Sequence, residues 1–197
     1  MTIADDPIAG ERARKPRADS LRNREQLLEA AKAAFAVAGA DAPLEDIARR
    51  AGLGIGTLYR HFPTREALLA AVYRREVEQL SNSAETLLAE RAPGEALRAW
   101  LHLLVHYMAT KRVIAPALQA SSGEGRAAYA SSGPAITGAM NRLSQAAIDS
   151  GDIRSDLTPE DLFRMLMGLS YGYDRPDWEA SALRLIDILM AGLKPPA

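Results

Sequence analysis

At 197 residues, with 48% hydrophobic and 25% charged residues, the chain can bury roughly 70% of its unfolded surface in one large or two small domains. It has no cysteine, which excludes thiol catalysis, Cys-ligated zinc and structural disulfides. A formal net charge of −1 argues against a generic nucleic-acid coat protein.

The charge is unevenly placed. Residues 11–24 carry six cations (Arg12, Arg14, Lys15, Arg17, Arg22, Arg24) and two anions; residues 1–76 hold 13 cations against 11 anions, and residues 77–197 hold 11 against 14. Such a basic end permits nucleic-acid binding and equally suits a solvated tail. Neither a signal peptide nor an apolar stretch of about 18 residues is visible, so the expected compartment is the cytoplasm, with no membrane partner.

A polar arm, expected to be flexible, runs to about residue 20. "LRNREQLLEAAKAAFAVAG" follows as a helix, with Leu28, Ala31, Phe35 and Ala38 at helical spacing and Gly39 at its end. A short helix, "LEDIARRA", stops at Gly52, and a third spans Ile55 to His61 before Pro63. Thr64 is placed to cap a long helix, "REALLAAVYRREVEQLSNSAETLLAE". Pro93 and Gly94 open "EALRAWLHLLVHYMAT", after which "VIAPALQASS" reads as a weaker helical piece. "GEGRAAYASSGPAITGAMNRLSQAAIDSG" reads as two helical runs, or as one interrupted near Gly133 and Pro134. Thr158, Pro159 and Asp161 form a capping-box-like start for "DLFRMLMGLSYGY", and Pro176 introduces "DWEASALRLIDILMAGL". No alternating strand pattern or repeat occurs. The fold class is therefore all-α, with about nine helices. The expected division is an arm at 1–20, a three-helix domain at 21–67 and a second helical domain at 68–197.

The stretch "GLGIGTLYRHFPTREAL", residues 52–68, has two readings. A glycine loop that grips a nucleotide follows a strand and opens a helix. Here the glycines follow a helix, the spacing is G-x-G-x-G, and no Walker lysine succeeds them. A helix-turn-helix explains more of the residues. Ala48 allows two short helices to approach steeply, and Gly52 supplies the turn. Ile47, Ala51, Leu53 and Leu58 then face a core with Phe35. The remaining face of the third helix shows Gly56, Thr57, Tyr59, Arg60 and His61, small or hydrogen-bonding groups suited to a major groove.

"LEDIARRAGLGIGTLYRHFPTREALL", after an alanine-rich helix ending in glycine, resembles the TetR family of transcriptional repressors over roughly residues 22–70. The resemblance implies a homodimer that binds a palindromic double-stranded DNA operator. It also implies a C-terminal domain that dimerises and binds a small-molecule effector, which releases the DNA. By the same resemblance Thr57 and Arg60 contact base edges; Tyr59, His61 and Arg65 contact phosphates; and Gly56 lets the backbone come close to the duplex. Leu58 and Phe62 belong to the core. Arg17 and Arg22 of the basic segment complete the DNA-binding set, either by entering the minor groove or through looser phosphate contacts. Two features differ from the family pattern. "DAPLED" stands where a capping Thr or Ser usually opens the second helix, and the third helix begins at Gly54. The operator of another member is therefore not carried over.

In the second domain His102 and His106 lie one turn apart, a spacing that can hold a metal. With no cysteine and no clear third ligand, the reading is two hydrogen-bonding histidines beside an apolar cavity, or an ordinary partly exposed pair. No cofactor is expected. Trp100, Leu104, His106, Tyr107, Met108, Tyr129, Met140 and Tyr171 are the candidate ligand-binding residues, with Met165 and Met167 as further thioethers nearby. No basic cluster is evident there, so the expected effector is neutral and largely hydrophobic or aromatic. The last two helices carry more apolar residues than one buried face needs. Leu162, Met165, Leu169, Leu183, Ile186, Leu189 and Met190 are the candidate dimer interface. No Ser-His-Asp arrangement, paired carboxylates or metal signature suggests an enzyme.

Overall fold

The structure, a computed structural model, describes residues 11–168 and 175–195, with side chains from Ala18 onward. The described residues form eight α-helices and no strand: α1 (Glu11–Ala38), α2 (Leu44–Arg50), α3 (Ile55–His61), α4 (Arg65–Glu90), α5 (Pro93–Ala120), α6 (Glu124–Asp149), α7 (Pro159–Gly168) and α8 (Trp178–Gly192). They divide into two compact units, Met1–Val72 and Tyr73–Ala197, so that α4 gives its first turns to one and its remainder to the other.

In the first unit α1 packs on α2, and α2 on α3. Leu27, Leu28, Ala31 and Phe35 supply the α1 face of the core, Ile47 and Ala48 that of α2, and Leu58 and Phe62 that of α3. Ala51 and Leu53 are only half-buried at the edge of this core. The turn after α2 is a Schellman motif. Gly52 has φ +69°; its N–H donates to the Arg49 carbonyl at 3.1 Å, and the Leu53 N–H donates to the Ala48 carbonyl at 2.9 Å. Only a residue without Cβ adopts that conformation cheaply. This turn fixes the angle at which α3 leaves α2.

The second unit is built around α5, which packs on α6 and α8, while α6 also packs on α7. Trp100 is fully buried, and its indole N–H donates to the Leu80 carbonyl at 2.8 Å. Thr158 and Asp161 cap α7 reciprocally. The Asp161 N–H donates to Thr158 Oγ1 at 3.2 Å, and the Thr158 N–H to Asp161 Oδ2 at 3.1 Å.

The described residues hold eight helices where about nine are expected, because segments read as separate are continuous: "EALRAWLHLLVHYMAT" and "VIAPALQASS" join in α5, and the stretch around Gly133 and Pro134 is unbroken in α6. Pro116 lies inside α5 and Pro134 inside α6. An interior proline costs about 3 kcal/mol through a lost hydrogen bond and a ring clash. Buried residues on both sides, Ile114 and Leu118 around the first and Ser132 and Ile136 around the second, hold each helix together across it. The segment expected as an arm is helical from Glu11, where Glu, Arg, Ala and Lys favour helix even in water.

Candidate nucleic-acid interface and cavity

α3 has two faces. Leu58 is 0% exposed and the Phe62 that follows the helix 3%, whereas Tyr59 is 46% exposed and Arg60 and Gly56 are exposed with it. Thr57 and His61 are half-buried at the border of this outer face. Arg60 Nε donates to the Gly56 carbonyl at 3.3 Å, which lays the guanidinium along the helix surface. The structure thus brings Gly56, Thr57, Tyr59, Arg60 and His61 together on one short helix. The aromatic residue that ends it is held in turn, since the Arg24 guanidinium of α1 lies 5.3 Å from the Phe62 ring centroid.

Arg65 stands apart from this group. It is half-buried, and its Nη1 donates to the carbonyls of Ala40, at 3.1 Å, and Ala42, at 2.5 Å. It ties the first turn of α4 to the α1–α2 connection. Thr64 caps α4 by accepting from the Ala67 N–H at 3.0 Å. Arg22 is exposed and lies 3.7 Å from Asp19, a pairing that water competes with. The Arg17 side chain lies outside the described residues.

A cavity of about 420 Å³ opens in the second unit among α5, α6 and α7, a volume in the range of small-molecule sites. Leu104, Tyr107, Met108 and Met140 line it, as does Phe163 of α7. Trp100 does not; it is spent on the core. Tyr129 stands behind the wall, its ring stacked 5.8 Å from that of Tyr73. Tyr171 lies outside the described residues. The Tyr73 hydroxyl is 2.8 Å from that of Tyr107 and 2.9 Å from Ser132 Oγ. Burial, reinforced by the hydrogen bond with Tyr73, holds the Tyr107 phenol well above its ordinary pKa, so it stays protonated.

Lys111, Arg112, Gln119, Ser132 and Thr137 also line the cavity, and the sequence reading did not include them. That reading ended the helix at Thr110, one residue short of the two cations. Continuity of α5 past Thr110 carries Lys111 and Arg112 onto the cavity wall.

His106 points elsewhere. Its Nδ1 lies 2.6 Å from Glu179 Oε1 of α8, and the side chain is exposed. His102 Nε2 lies 2.9 Å from Asp187 Oδ1, which also accepts from Arg98 Nε at 2.8 Å. The hydrogen bonds from Arg98 and then His102 lower the Asp187 pKa below the usual carboxylate value. The two histidines therefore join α5 to α8. No group of three or more potential ligands that could hold a metal ion occurs among the described residues.

Of the candidate interface residues, Leu162 and Ile186 are buried within the unit, Leu183, Leu189 and Met190 are half-buried, and Met165 is exposed. Leu169 lies outside the described residues. The large apolar side chains that α8 turns outward are Leu185 and Ile188, the latter 67% exposed. No described helix is long and apolar enough to cross a membrane.

Residues 27–72 match the family described as bacterial regulatory proteins, tetR family, and residues 92–195 match the C-terminal domain described as transcriptional regulator SbtR-like. A TetR transcriptional regulator from Streptomyces coelicolor is 46% identical, with a TM-score of 0.79 over 88% of this chain and 99% of that one. A TetR transcription regulatory protein from Mycobacterium vanbaalenii is 33% identical, with a TM-score of 0.75 over 91% of this chain and 99% of that one. An HTH-type transcriptional regulator of Staphylococcus aureus is 43% identical over 47 residues, which span 24% of this chain and 25% of that relative. A helix-turn-helix unit with a polar outer face on α3, a second all-helical unit and likeness to these regulators over most of the length agree: the chain belongs to the TetR family of DNA-binding transcription regulators, which are not enzymes.

Proposed function

We propose that the chain works as a homodimeric repressor that binds a palindromic operator through α3 and lets go when a small, largely apolar effector enters the cavity among α5, α6 and α7. The observation that carries this reading is the division of α3 into a buried apolar face and an outer face of Thr57, Tyr59, Arg60 and His61. One seven-residue helix reaches only a few base pairs. Specific binding therefore needs two copies in successive major grooves, about 34 Å apart.

In this reading Thr57 and Arg60 read base edges, while Tyr59 and His61 hold phosphates. Gly56 keeps the helix surface low enough for the backbone to approach the duplex. Arg65 positions the unit from behind through its bonds to Ala40 and Ala42. Arg17 and Arg22 add non-specific attraction that salt weakens. The dimer forms through α7 and α8. Leu185, Ile188 and Met165 meet their two-fold copies, the half-buried Leu183, Leu189 and Met190 flank them, and Leu162 and Ile186 pack behind. The cavity is apolar over most of its wall and has hydroxyl groups from Tyr107, Ser132 and Thr137 to orient a ligand.

Selection of the purified protein against a random double-stranded DNA pool, sequenced at two salt concentrations, tests the proposal. It predicts recovery of a palindrome with affinity falling steeply in salt. Recovery of an asymmetric site, or no enrichment at either salt, would refute it.

A further inference from the structure

The cavity is apolar, yet two cations sit on its wall. Lys111 and Arg112 both line it, and neither makes an ion pair among the described residues. Lys111 is not idle, because its Nζ lies 5.2 Å from the Tyr129 ring centroid and 6.0 Å from that of Tyr107. Aromatic faces steady an ammonium without neutralising it. Behind them the Tyr73 hydroxyl joins those of Tyr107 and Ser132 in a buried network that fixes the Tyr107 ring, while the Tyr129 ring stacks on that of Tyr73. Lys111 is half-buried and Arg112 exposed, so water serves both in the free protein, and a ligand that excludes that water must bring an anion in its place. Among the described residues no carboxylate side chain lines the cavity.

We infer that the ligand is an amphipathic organic anion. Its apolar body lies against Leu104, Met108, Ile136, Met140 and Phe163, and its single carboxylate pairs with Lys111, with Arg112 assisting. This inference rests on the effector reading of the same cavity and adds the charge of the ligand to it. A carboxylate suits the arrangement because it is compact enough to sit between one ammonium and one guanidinium while the rest of the molecule stays dry. A neutral ligand of equal shape would displace water from Lys111 without supplying a counter-charge, and a cationic one would be repelled by both cations.

The test uses the full-length protein and two pairs of probes that differ in charge at nearly constant shape: decanoate with decanamide, and 2-naphthoate with 2-naphthamide. Affinities are measured by titration calorimetry above pH 6, where both acids are ionised. In at least one pair the acid is expected to bind tenfold or more tightly than its amide. Lys111→Gln should remove most of that preference, and Arg112→Gln a smaller part. Gly133→Leu checks the location, since Gly133 lines the cavity and a Cβ there would meet open space. The leucine should occupy cavity space and abolish binding of acid and amide alike, with unchanged helical circular dichroism checking that the position before Pro134 tolerates it. Equal affinity of acid and amide, or a preference unchanged in both glutamine variants, would overturn the anion inference and leave the cavity as the ligand site. Binding that survives Gly133→Leu, or no binding by any of the four probes, would overturn the effector reading itself.

Discussion

Arg65→Ala separates a positioning residue from a DNA contact. The family resemblance implies that Arg65 holds a phosphate, but in the structure its Nη1 is already committed to two backbone carbonyls, Ala40 and Ala42. A hydrogen bond from a charged donor contributes about 1.5–3 kcal/mol when well buried. The side chain is half-buried, so solvent competes, and about 1 kcal/mol for each bond is a fairer figure. Removing the side chain should thus destabilise the protein by about 2 kcal/mol and lower the melting temperature by about 4–8 °C, at 2–4 °C per kcal/mol for a chain of this size. Urea denaturation followed by circular dichroism gives the first quantity and calorimetry the second. DNA affinity, measured by fluorescence anisotropy at several salt concentrations, should fall without a change in the salt slope, because no phosphate contact is lost. Unchanged stability with a slope reduced by about one would refute the reasoning and make Arg65 a phosphate ligand.

Three other perturbations have defined outcomes. Gly52→Ala puts a Cβ at φ +69° where nothing stands within 4 Å, so the cost is conformational alone, about 1–2 kcal/mol in urea denaturation. Ile188→Glu places a charge on the outward face of α8 and, by the proposed interface, should sediment as a monomer where the unsubstituted protein sediments as a dimer, with the helical circular dichroism kept. Asp187 has its pKa lowered by Arg98 and His102, so its contribution is present above the unfolded-state carboxylate pKa, near 4, and is lost as the pH falls through the folded value. Chemical denaturation at pH 7 and below pH 4 should therefore show a smaller acid loss in Asp187→Asn than in the unsubstituted protein.

The first unit was the more legible in the sequence because its signals are local. Gly39, Gly52, Pro63 and Thr64 mark ends through backbone conformation, and each acts on its own helix. Arg65 was the exception, since its partners lie more than 20 residues away in sequence and no local pattern announces them. In the second unit the break expected near Gly133 and Pro134 is absent, because packing of Ser132 and Ile136 outweighs a local penalty that a sequence displays openly. A helix end expected at Thr110 hid Lys111 and Arg112, which lie on the cavity wall because α5 runs unbroken from Pro93 to Ala120. His102 and His106 were recognised as one face of a helix. That this face meets Asp187 and Glu179 of α8, and not the cavity, follows from how the helices assemble.

The central claim is that the outer face of α3 reads the operator, and Arg60 tests it most directly. Selection from a random DNA pool would be run in parallel with the unsubstituted protein and with Arg60→Ala, whose exposed side chain makes only a 3.3 Å bond to its own helix. Both proteins should recover palindromes with the same half-site spacing. The variant should lose base preference at one position in each half-site, at a cost of about 1–3 kcal/mol in affinity for the original operator. Identical palindromes with undiminished preference at every position would contradict the account, because Arg60 would then read no base.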